Sequence, residues 1–118
     1  MDVREQIQDY LENPQKCYKQ WYIEHTLYKA GGKGEEVGVL ADWKKEFDKW
    51  VKDNRLKLRE IICPNVGKIK TAVTQIDMVL EIMDIIEKQP YVGVVKLTAA
   101  LLFLYGIERL CQDYKYGA

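Results

Sequence analysis

Residues 90–111 read PYVGVVKLTAALLFLYGIERLC, and from Leu97 to Ile107 this run holds no charged side chain. A helix that is apolar on every side has to be wrapped by its own domain, by lipid or by a partner chain. Which of the three does the wrapping decides the fold. A bilayer span needs about 20 apolar residues. The uncharged stretch is eleven residues long, bounded by Lys96 before it and by Glu108 and Arg109 after it. A lysine carried to mid-bilayer costs roughly 2.5–3.5 kcal/mol. These lengths and charges argue against insertion of helix 91–111 and for a buried helix at the centre of a bundle.

The segments before it supply the wrapping. Val66, Ile69, Val73, Ile76, Leu80 and Met83 keep a 3–4 spacing, with Lys70, Thr74, Asp77, Glu81, Asp84 and Lys88 on the opposite stripe. That pattern predicts one amphipathic helix over 65–88. Cys63-Pro64-Asn65 breaks the chain ahead of it, because proline disfavours helix at the residue before it. Leu40, Trp43, Phe47, Trp50, Val51, Leu58, Ile61 and Ile62 share a helical face over 35–62. Asn54 leaves open whether this is one bent helix or two. Further back, Pro14 opens a helix over 14–29 behind Asn13, and Val3, Ile7, Tyr10 and Leu11 make one stripe on a short helix over 2–12 capped by Asp2. Gly31-Gly32-Lys33-Gly34 predicts a mobile loop; with no strand before it and no Lys-Ser/Thr pair, it is not a phosphate loop. The expected fold is an all-α single domain over 1–118. It is a bundle of four to five helices (2–12, 14–29, 35–62, 65–88 and 90–113) with the apolar C-terminal helix at its centre.

Composition narrows function by exclusion. Eighteen Lys and Arg balance eighteen Asp and Glu. In the most basic window, Lys44 to Arg59, the cations are interleaved with Glu46, Asp48 and Asp53. Nucleic-acid binding draws on phosphate neutralisation, so no nucleic-acid partner is expected. Cys17, Cys63 and Cys111 form no CxxC pair and read as reduced thiols, and Met1 to Gln6 is polar, so the expected location is cytoplasmic. There is no serine, and the single histidine, His25, lies two helical turns from Cys17. No catalytic residue, cofactor or metal is therefore assigned, and the protein is not expected to be an enzyme.

Two surfaces remain as candidates for partner binding. Tyr18, Trp21, Tyr22, His25 and Tyr28 share one face of helix 14–29, each joining an apolar body to a polar atom. Such residues are enriched at interfaces, though the same rings could pack over the bundle edge. Asp77, Glu81 and Asp84 stand along one face in the C-terminal half of helix 65–88, where negative charge opposes the helix dipole. Lys88 and the Lys44–Arg59 helix are the expected offset, with a partner surface as the alternative. The expected function is a non-enzymatic protein–protein interaction module, working on another protein or as a homo-oligomer. A membrane-associated protein and a small metal-binding or enzymatic bundle are the alternatives.

Overall fold

The computed structural model describes residues 2–29 and 42–114, and every element in them is helical. In chain order these are α1 (Val3–Glu12), α2 (Pro14–Lys29), α3 (Trp43–Asp53), α4 (Arg55–Ile62), a 3-10 turn (Cys63–Asn65), α5 (Val66–Lys70), α6 (Gln75–Ile86), α7 (Val95–Tyr105) and α8 (Ile107–Leu110). The expected all-α domain is what forms, cut into more pieces than five. Glu35 to Ala41 and the Gly31–Gly34 cluster lie outside the described residues.

The apolar run takes the central place. Leu97, Thr98, Ala99, Ala100, Leu101 and Leu102 are all buried, so α7 hides its whole circumference, and α1, α2 and α6 pack against it. The helix is shorter than the expected 90–113. It starts at Val95, and it stops where Gly106 takes φ +105°, a left-handed conformation that disfavours any residue with a Cβ. The chain then restarts as α8.

Local chemistry sets the other boundaries. Asp2 and Asp42 each accept a hydrogen bond from the backbone N–H three residues on, at 2.9 and 3.1 Å, and so fix the starts of α1 and α3. Asn13 was expected to cap α2. Its side chain instead donates back to Asp9 at the end of α1, and its carbonyl accepts the first α2 bond, from the Cys17 N–H. Asn54 behaves likewise, donating to the Trp50 carbonyl at 2.8 Å, and the 43–62 span is two helices rather than one.

The expected continuous helix over 65–88 is corrected. It breaks at Thr71–Thr74, because Thr74 is extended and its hydroxyl accepts from the Asp77 N–H at 3.0 Å while donating to the Asp77 carboxylate at 2.9 Å. This capping arrangement starts a new helix in place of continuing the old one. Val73, apolar and in register with the stripe, is left 91% exposed, and α6 buries Val79, Ile82 and Ile86.

The cysteine reading is corrected too. Cys63, in the 3-10 turn, and Cys111, just after α8, form a disulfide across Cα atoms 5.5 Å apart. Only Cys17 is a free thiol; burial, with Asp9 adding to it, pushes its pKa up to about 12.

Candidate interaction site

Helices α2 and α3 meet through aromatic rings. Tyr18 meets Phe47 edge-on at 6.0 Å, Trp21 meets Phe47 at 4.9 Å and Trp50 at 6.0 Å, and His25 meets Trp50 at 6.2 Å. The partners advance along both helices together, so α2 and α3 run side by side in the same sense. Trp21 also reaches the central helix, donating its indole N–H to the Thr98 hydroxyl at 3.2 Å in the core. That bond satisfies two buried polar atoms at once.

The expected aromatic face of α2 therefore divides. Tyr18 and Trp21 point inward, 4% and 1% exposed. The physical reason is that α3 brings a matching aromatic stripe, Phe47 and Trp50, which seals them from water. Tyr22 and His25 are half-buried at the edge, and the side chain of Tyr28 lies outside the described residues. His25 stacks on Trp21 with centroids 4.6 Å apart and planes 11° from parallel.

Beside this stack lies a cleft of about 430 Å³. Trp21 and Trp50 form its floor, Tyr22, His25 and Thr26 one wall, and Glu46, Lys49 and Asp53 the other. The α3 wall was missed in the sequence because its charged residues read as a solvated face. Their i, i+3, i+7 spacing on the helix flank next to Trp50 was the available signal. The arrangement offers stacking area and hydrogen-bonding groups. The Cys17 thiol is buried and its pKa raised, which suits it poorly to act as a nucleophile. Among the described residues no group of three or more His, Cys, Asp or Glu could hold a metal.

The acidic strip lies on a different helix, and two of its three charges are engaged. Asp77 pairs with Arg4 at 2.9 Å, Glu81 pairs with Lys68 at 3.3 Å, and Asp84 is exposed. The offset thus comes from α1 and α5, not from Lys88 or α3. The conflict with the dipole is relieved for Asp77, Lys68 and Lys70, while Asp84 still stands in the last turn of α6. Because α6 begins at Gln75, Asp77 stands in a first turn, and Lys68 and Lys70 close the last turn of α5, the favourable end for each charge.

Arg4, and then Thr74, hold the Asp77 carboxyl below its usual range by hydrogen bonding. A depressed carboxylate contributes stability above its unfolded pKa of about 3.9 and loses it as pH falls through the folded value. Asp77→Asn is expected to lower the urea midpoint at pH 7, with the gap to wild type closing once the pH has fallen through the lowered folded pKa of Asp77. A gap that persists at that pH would show that the loss is not ionic.

Comparison with known protein families, curated proteins and solved structures finds no match for this chain.

Proposed function

We propose that this chain is a non-enzymatic protein–protein interaction module whose working surface is the α2–α3 cleft. The observation that carries the reading is the His25–Trp21 stack, which holds a half-buried ring against a rigid core at the mouth of a recess. Rigid aromatic groups lose little entropy on binding and dominate interface energies. Two carboxylates, Glu46 and Asp53, flank one ammonium, Lys49, along the α3 rim, which favours a partner segment presenting Lys or Arg.

Among the described residues no helix is long and apolar enough to cross a membrane. The Cys63–Cys111 bond favours an oxidising compartment over the cytoplasm expected from the sequence, because glutathione keeps most cytosolic thiols reduced.

The test is a photo-crosslinking amino acid placed at Tyr22, with the same group at Asp84 as the comparison. A discrete adduct from Tyr22, lost on adding Asp53→Lys and absent from Asp84, supports the reading. An adduct from Asp84 alone moves the interface to α6. An adduct of twice the chain mass identifies the partner as a second copy.

A further inference from the structure

A second cleft, of about 790 Å³, adjoins the first along α3, shares Glu46 and Lys49 with it, and opens where that helix meets the start of α4 and the corner between α7 and α8. Five cations converge on it from three elements: Lys45, Lys49 and Lys52 from α3, Arg55 from α4 and Arg109 from α8. We propose that this cleft binds a ligand carrying two or more phosphate groups.

The first argument is charge that the fold leaves uncompensated. The ion pairs among the described residues engage Arg4, Lys16, Lys44, Lys68 and Lys70, and none of the five cleft cations. Three carboxylates also line the recess, and two of them are occupied. Asp42 caps α3 through the Lys45 N–H, and Asp48 lies 3.6 Å from the Lys44 ammonium. With Asp48 balanced by Lys44, the carboxylates of Asp42 and Glu46 oppose an anion against five cations.

The second argument is geometry. Lys45, Lys49 and Lys52 stand at i, i+4 and i+7, so they spread over about 10 Å of helix. One phosphate cannot reach all three, whereas linked phosphates can. Arg109 faces them from across the cleft, its guanidinium held over the Tyr105 ring at 4.1 Å. The positive φ at Gly106 separates α7 from α8 between this ring and its guanidinium. A pre-positioned planar fork suits bidentate contact with phosphate oxygens. The chain as a whole is neutral, so attraction has to come from this local cluster and from several contacts at once.

The experiment titrates the full chain with tripolyphosphate and with inorganic phosphate by calorimetry, read in parallel by 31P line broadening. Phosphatidylcholine vesicles with and without a bisphosphorylated phosphoinositide form a second arm. Tripolyphosphate should bind at least about tenfold more tightly than inorganic phosphate, and Lys52→Gln and Arg109→Gln should each weaken it by about tenfold. Glu46→Gln should strengthen it. Lys16→Gln, remote from the cleft, and Tyr22→Ala, in the other cleft, should leave it unchanged. Sedimentation with the phosphoinositide vesicles, lost in the same two variants, assigns the phosphates to a lipid headgroup. Tripolyphosphate binding without sedimentation assigns them to a soluble ligand. Absence of binding by both probes at millimolar concentration overturns the proposal, as does equal weakening by Lys16→Gln. The Tyr22 crosslinking experiment is read separately, because Tyr22 and Asp53 line the first cleft alone.

Discussion

Leu102→Asp is expected to abolish folding. Leu102 is fully buried on a helix whose six consecutive residues from Leu97 are out of water, with α1, α2 and α6 packed around it. Truncating such a side chain alone costs about 2–5 kcal/mol. A carboxylate at the same point either stays charged without a partner or takes up a proton against its ordinary pKa, and both add to the loss. Domains of this size have roughly 5–15 kcal/mol in hand, so the sum removes most or all of the stability. Circular dichroism and amide-proton NMR dispersion check it: the variant should lose its cooperative thermal transition and its dispersed spectrum. Leu56→Asp is the matched control, since Leu56 is 77% exposed on α4 and the same change there should stay within about 0.5 kcal/mol. A cooperative, helical Leu102→Asp monomer would remove the ground for a self-wrapped bundle.

The centre of this fold was legible because eleven uncharged residues in a row exceed what a half-buried helix tolerates; no finer pattern was needed. Boundaries were harder wherever periodicity continued through a break. Val73 fits the apolar spacing of its neighbours, yet the Thr74–Asp77 cap turns it out to solvent. The Thr-x-x-Asp signature was present, and a reading led by apolar spacing passed over it. Asp77, Glu81 and Asp84 then looked misplaced on a helix that does not exist as one piece. The aromatic stripe of α2 failed differently. Tyr18 and Trp21 resemble interface residues on their own helix, and only the arrival of Phe47 and Trp50 from α3 makes them core. That pairing depends on the direction of packing, which no single helix pattern carries. Tyr22 and His25, one step around the same helix, stay at the edge and line the cleft.

The disulfide is the other element with a large expected effect. Cys63 and Cys111 are separated by 48 positions, and nothing between them signals a bond; proximity exists only once α8 packs against α4. Closing a loop of that length removes chain entropy from the unfolded state worth about 4 kcal/mol. The bond also holds α8 against α4, and α8 has only four residues, too few to persist without an anchor. Replacing both cysteines by serine is expected to lower stability by about 2–4 kcal/mol, a shift of roughly 10–25 °C in Tm for a chain of this size. Reducing agent on wild type should reproduce the shift. Thiol titration under denaturing conditions tells the states apart: Cys17 alone reacts in the oxidised chain, and all three cysteines react after reduction. Because Arg109 is two residues from Cys111, loosening of α8 should also weaken tripolyphosphate at the second cleft while leaving Tyr22 crosslinking intact. An unchanged Tm, with complete reduction verified by thiol titration, would mean that α4 and α8 hold together through Leu58, Leu110 and their neighbours alone, and that the bond ties ends already fixed by packing.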